Sequence, residues 1–223
     1  ASFKSSYLGS GTTWYDISGY GNNNGTLTNG VGYTASNGGA LTFDGVNDYV
    51  NFGDVLDMGT KSYTINMWIR LSSTSSISQT FLSKSLSGQQ NFRFSVGINN
   101  YNKLYAFFQG NTPGVDVAPG GTISLPLNTW FMATFIFDRS SSISIYYNGV
   151  NDVLTSSGVI SQWNGLNFQS NNPFRIGSYT AADNTTPNSM TSGSIGITQI
   201  YDRVLSQSEI TQNFNATKSR FGL

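Results

Sequence analysis

Short runs of alternating apolar and polar residues recur along most of this 223-residue chain. In residues 38–53, GGALTFDGVNDYVNFG, two such runs flank Asp44-Gly45-Val46-Asn47-Asp48. An alternation of period two gives each run a strand with one buried face. Asp-Gly tolerates positive φ, and Asn47 and Asp48 can bond their own backbone, so the pattern predicts a hairpin with two carboxylates and an amide at its tip. Residues 62–70 put Tyr63, Ile65, Met67 and Ile69 on one face and Trp68 on the other. A strand apolar on both faces is central, not at an edge. Further strands are predicted at 80–84, 91–98 and 103–109, the last two joined by a turn at Asn99-Asn100-Tyr101-Asn102.

The second half of the chain continues the pattern. Residues 110–124, rich in Pro and Gly, read as a loop, and 130–137 as a long strand apolar on both faces. A turn at 138–142 leads to a strand at 143–147, and Asn148-Gly149 makes the next tight turn. Residues 151–172 read as a polar loop lying over one face, 173–177 as a short strand, 178–193 as the longest polar loop and 194–201 as the last strand. One helix is predicted, at 206–213, where Ser206-Gln207-Ser208-Glu209 forms a capping box. Glu209 is structural on this reading. Residues 1–37 form an anchor and loop segment, with a short ordered stretch at Trp14, turn chemistry at Asn22, Asn23 and Asn24, and a strand entered at Gly25. About a dozen short strands, turn signals roughly every 8–12 residues and one helix argue a single all-β domain, an antiparallel sandwich over 1–223 with a helix and tail at 206–223.

Composition narrows the function classes. The chain has no Cys and no His, which excludes disulfides, thiolate chemistry, histidine bases and His/Cys zinc sites. Eleven Lys and Arg balance eleven Asp and Glu, so nothing points to a basic surface for nucleic acid. Charged residues make up only 10% of the chain, and Ser, Thr, Asn and Gly take their place. Such a neutral, hydroxyl- and amide-rich surface suits secreted and virion β-proteins. No apolar run reaches the length of a membrane-spanning helix. Ala1, standing where an initiator Met would, reads as a processed end or a cut from a longer protein.

Several stretches, in order, resemble the LamG-like, concanavalin A-like jelly-roll family. They are LTFDGVNDYV at 41–50, YTINMWI at 63–69, FLSK at 81–84, NTWFMAT at 128–134, IYYNG at 145–149, FRIG at 174–177, GSIG at 193–196 and IYDRVLS at 200–206 ahead of Glu209. Residues 11–19 with 23–27, and the end at 212–222, are similar to the ends of LamG-like domains in tailed-phage virion proteins. The resemblance implies two curved antiparallel sheets face to face, glycan or protein binding, and a calcium ion at a loop rim. The chain starts late relative to the family pattern, so the first strand is expected to be missing or supplied by a neighbour.

Catalysis finds no support. The family's glycoside hydrolases use paired carboxylates, commonly two glutamates on one strand, whereas this chain has one Glu and no strand with two acids at i, i+2 or i, i+4. For calcium, Asp44, Asn47 and Asp48 supply three side chains within five residues, and Asp202, after the last strand, could approach them in this fold. Two readings stay open: a calcium site at these four residues, or carboxylates that cap the turn and pair with Arg203 or a backbone N–H. Arg203 otherwise reads as an ion-pair partner tying the last turn. For glycan contact the candidates are loop aromatics with nearby amides: Trp163 with Asn164 and Asn167, Tyr101 with Asn100 and Asn102, and Tyr179 with Asp183 and Asn184. Trp68 and Trp130 belong to the core. The combined expectation is a non-catalytic module on a phage particle that binds glycans or neighbouring virion subunits, with a homo-oligomer among the expected assemblies. The alternatives are a secreted bacterial carbohydrate-binding or adhesin module and a purely structural domain.

Overall fold

The computed structural model describes residues 3–7, 11–19, 23–74, 77–85, 92–110, 116–180 and 187–223. In chain order the strands are β1 (Phe3–Tyr7), β2 (Thr13–Asp16), β3 (Gly25–Thr28), β4 (Gly32–Thr34), β5 (Ala40–Asp44), β6 (Tyr49–Asn51), β7 (Tyr63–Leu71), β8 (Gln79–Lys84), β9 (Arg93–Ile98) and β10 (Lys103–Gln109). They continue as β11 (Asp116–Val117), β12 (Gly120–Ser124), β13 (Trp130–Phe137), β14 (Ile143–Tyr147), β15 (Val150–Asp152), β16 (Phe174–Ile176), β17 (Tyr179–Thr180), β18 (Pro187–Asn188) and β19 (Ser192–Tyr201). The helix α1 (Gln207–Thr217) closes the chain with a 3-10 turn at Lys218–Phe221.

Two large antiparallel sheets form among the described residues, beside the separate pair β17–β18. The first runs β4–β5–β19–β7–β13–β14–β15. The second runs β1–β2–β3–β6–β16–β8–β9–β10, with β11 and β12 on the far side of β10. The expected antiparallel sandwich with one C-terminal helix is therefore what the chain builds. Strand β1 belongs to both sheets: Phe3 and Lys4 pair with Ile200 and Gln199, then Ser5–Tyr7 pair with β2. The chain thus supplies its own first strand, contrary to expectation. The hairpin at 38–53 is also corrected. β5 lies in the first sheet and β6 in the second, so Asp44–Asp48 crosses between sheets. Alternation shows that each run has a buried face but not which sheet it joins.

The inner faces meet in one large core. Tyr63, Ile65, Met67, Ile69, Phe131, Phe135 and Phe137 from the first sheet join Leu82, Phe94, Val96, Leu104, Phe108, Phe174 and Ile176 from the second. Trp68, Trp130, Met132 and Ile136 face outward from the first sheet, where Ile210 and Phe221 of the C-terminal segment bury them. Phe221 stacks on Trp68 with centroids 4.2 Å apart, and Trp68 Nε1 donates to Thr217 Oγ1 at 2.9 Å. That packing extends the helix past the predicted end at 213. Other segments expected to be loops also carry strands. Residues 110–124 contain β11 and β12, and 178–193 contains the pair β17–β18.

Candidate functional site

The sequence candidates do not converge. Trp163 is 2% exposed and packs against Phe108 at 5.2 Å, so its ring fills the core and cannot stack on a ligand. Asn164 and Asn167 stay exposed on the same loop. Tyr101 is 76% exposed at the tip of the β9–β10 turn. Asn99 Oδ1 accepts the N–H groups of Tyr101 and Lys103 there, and Asn102 donates to the Leu125 carbonyl at 2.8 Å. Tyr179 is half-buried in β17, opposite Asn188. Its suggested companions Asp183 and Asn184 lie outside the described residues.

At the sheet-to-sheet crossover, Asp44 Oδ1 accepts the N–H groups of Val46 at 2.8 Å and Asn47 at 3.3 Å. Asp48 Oδ2 accepts the Asp44 N–H at 3.0 Å. Burial pushes the Asp48 carboxyl above its ordinary range. Asn47 is exposed, and its carbonyl accepts from Asn29. Asp202 does not approach this turn. Asp44 pairs with Ser192 at the start of β19, while Asp202 follows its end, roughly 30 Å away at strand rise. Arg203 is bound to Glu209, not to Asp44 or Asp48. The turn shows capping: Asp44 Oδ1 and Asp48 Oδ2 accept local N–H groups, and the buried Asp48 Oδ1 has no protein partner. Among the described residues no group of three or more acidic side chains gathers around one point.

Asp202 instead belongs to a pocket at the other end of the sandwich, of about 500 Å³, in the size range of small-molecule sites. Residues 56–61, between β6 and β7, form one wall, and Asn167 and Asp202 complete it. Two buried cations shape it. Lys84 stands on the inner face of β8, aligned with Phe94 and Phe174, and its side chain is wholly buried. A buried ammonium needs counter-charges and acceptors. Asp54 Oδ1 at 2.7 Å, the Val55 carbonyl at 2.9 Å and Asp57 Oδ1 at 3.2 Å supply them, and so draw residues 54–57 down onto the core. Asp57 also accepts the Ser170 N–H at 3.2 Å.

Arg139, 1% exposed in the β13–β14 turn, holds the second wall. Its guanidinium donates to the carbonyls of Gly59 at 2.7 Å, Leu166 at 2.6 Å and Trp163, and lies 4.2 Å over the Phe168 ring. Burial lowers its pKa from the ordinary arginine value. Gly59 and Phe168 exchange backbone bonds of 3.0 and 2.8 Å, which lock loop 56–61 to loop 161–168. Leu56 adopts φ +60°, a left-handed conformation that costs a non-glycine residue about 1 kcal/mol or more. Such strain persists where surrounding contacts over-determine the backbone, as the Lys84 and Arg139 anchors do here.

At the rim, Lys61 Nζ lies 2.5 Å from Asp202 Oδ2, with both side chains more than half exposed. The hydrogen bond from Lys61 holds the Asp202 carboxyl below its ordinary range. Leu56 and Met58 give the pocket apolar surface; Thr60 and Asn167 add a hydroxyl and an amide. Sequence reasoning placed Asp202 and the Asn167 loop among the candidates but missed residues 54–61. Lys84, polar in a strand aligned with buried aromatics, was the available signal that nearby carboxylates must close over it.

The profile of the concanavalin A-like lectin/glucanases superfamily matches residues 44–211. No curated protein sequence gives a significant match. Among solved structures, the binding domain of botulinum neurotoxin serotype G is 21% identical with a TM-score of 0.67, over 98% of this chain and 51% of that one. Domain 4 of AbnA, a GH43 extracellular arabinanase from Geobacillus stearothermophilus in complex with arabinotriose, is 20% identical with a TM-score of 0.61, over 88% and 90%. Trypanosoma rangeli sialidase in complex with sialic acid is 17% identical with a TM-score of 0.70, over 98% and 33%. The chain thus spans about half the toxin domain and a third of the sialidase. At these identities the shared property is the fold.

Proposed function

The chain belongs to the concanavalin A-like lectin/glucanase superfamily, and we propose that it is a non-catalytic module that binds a saccharide in the pocket formed by residues 56–61, Asn167 and Asp202. The observation that carries this reading is the pocket itself: a preformed cavity with apolar surface and an amide, a hydroxyl and an accessible ion pair at its edge. Saccharide sites need that mixture, because a sugar ring presents C–H surface and a fringe of hydroxyls. The complex of AbnA domain 4 with arabinotriose supports a sugar as the ligand. The chemistry supports binding without hydrolysis. Glycoside hydrolysis needs one carboxyl held protonated beside an ionised partner, and here Asp57 and Asp202 are both ion-paired with lysines.

Glycan-array screening followed by calorimetry tests the reading. Asn167→Ala and Asp202→Ala each lower affinity by about tenfold, the loss of one or two hydrogen bonds, while Tyr101→Ala at the opposite end leaves it unchanged. Retained affinity in both pocket variants would contradict the site.

The finer reading is display on a phage particle, as a decoration or adhesion module attached through glycans or neighbouring virion subunits. The phage-like stretches at 11–19, 23–27 and 212–222 and the low charge content support it. A secreted bacterial carbohydrate-binding or adhesin module is the second reading, favoured by the likeness to an extracellular arabinanase domain. Antibody labelling of purified particles under the electron microscope separates them: decorated particles support the first, bare particles with antigen in the host's culture medium the second.

A further inference from the structure

Resting on the pocket reading above, we infer that the saccharide unit held there is uncharged, and that the Lys61–Asp202 ion pair reads two adjacent hydroxyls of it. Each carboxylate of the pocket lining has a lysine partner. Asp57 faces Lys84, and Asp202 faces Lys61. Lys84 is wholly buried and committed to Asp54, Asp57 and the Val55 carbonyl, so it cannot reach a ligand. Among the described residues of the pocket lining, Lys61 is the cation that a ligand can meet. A sialic or uronic acid carboxylate could use Lys61 only by taking it from Asp202, and would then face Asp202 uncompensated, while Asp57 stays paired with Lys84. Like charges brought together this way penalise the wrong ligand.

Adjacent hydroxyls meet no such conflict. An ammonium carries three donors, and a carboxylate offers several lone pairs. One hydroxyl can donate to Asp202 and its neighbour accept from Lys61 while the 2.5 Å contact between the two residues persists. The ion pair thus presents a donor and an acceptor side by side, which matches two sugar hydroxyls on neighbouring carbons. Leu56 and Met58 offer apolar surface to the ring's C–H groups. An exposed pair of this kind adds little to stability, so changing it leaves the protein folded.

The test is a glycan array of matched neutral and acidic oligosaccharides, the acidic members carrying a terminal sialic or uronic acid. It is probed with the wild type, Lys61→Gln, Asp202→Asn and Asp202→Lys, each first shown by its melting curve to fold. Neutral glycans bind the wild type, and their acidic counterparts bind about tenfold more weakly or not at all. Lys61→Gln and Asp202→Asn each weaken neutral binding, and Asp202→Lys gains acidic glycans. Acidic glycans bound as tightly as neutral ones, or neutral binding indifferent to both neutralising variants, would overturn the inference while leaving saccharide binding intact. A wild type silent across the whole array would overturn the saccharide reading itself, and this inference with it.

Discussion

Two buried cations, Lys84 and Arg139, show how single residues build the pocket. Both sit where the sandwich would otherwise be apolar, and each collects backbone carbonyls from a loop that has no regular structure of its own. Their consequences differ. Lys84 answers carboxylates that reach solvent, so in Lys84→Met Asp54 and Asp57 can turn back to water. Removing one partner of a buried pair is costly where the other charge stays buried, but Asp54 and Asp57 keep 48% and 34% of their side chains exposed, which limits the loss. The expected outcome is a melting temperature within a few degrees of wild type, with faster amide hydrogen exchange across residues 54–61 and weaker saccharide binding. Unchanged exchange in that loop would show that Lys84 does not hold it. Trp163 carries the residue-scale lesson in legibility. An aromatic among Asn and Gly residues reads as an exposed ligand contact, but the loop turns its ring inward against Phe108 and leaves Asn164 and Asn167 outside. Sequence identifies the loop; only packing decides which way each side chain faces.

Among the elements, α1 was the easiest to read, because its signals are local. Ser206 accepts the Glu209 N–H at 3.3 Å, and Glu209 accepts the Ser206 N–H at 2.9 Å, completing the predicted capping box. Glu209 also takes Arg203 at 2.6 Å. Hydrogen bonds from Arg203, then from the Ser206 backbone, pull its pKa from 4.5 to about 2. A carboxyl whose pKa is depressed on folding contributes stability above its unfolded value and loses it as pH falls through the folded one. The melting temperature of the wild type therefore drops between pH 4.5 and about 2, and part of that drop is missing in Glu209→Gln. Ser206→Ala costs about 1 kcal/mol at neutral pH. Identical acid profiles for wild type and Glu209→Gln would contradict the assignment. The crossover from β5 to β6 was illegible for the opposite reason. The Asp-Gly turn and the alternating strands are the same whether the second strand pairs with the first or crosses to the facing sheet. The choice rests on β3 and β16, remote in sequence, as partners for β6.

At the scale of the molecule, the jelly-roll sandwich was readable because strand alternation and turn chemistry recur through the chain. β7 announced itself as central by being apolar on both faces, and it is flanked by β19 and β13. The N-terminal strand that joins both sheets and the pocket were not readable. Each depends on segments far apart in sequence: β1 on β19, and residues 56–61 on Asn167 and Asp202. The sandwich places the two polar features at opposite ends, the capped turn of Asp44 and Asp48 at one and the pocket at the other. The most direct test maps amide shifts on isotope-labelled protein as a neutral oligosaccharide is titrated in. The account predicts saturable shifts at Leu56, Met58, Thr60, Lys61, Asn167 and Asp202, with Tyr101 and Asp44 unmoved. Shifts clustered at Tyr101, with residues 56–61 silent, would contradict it.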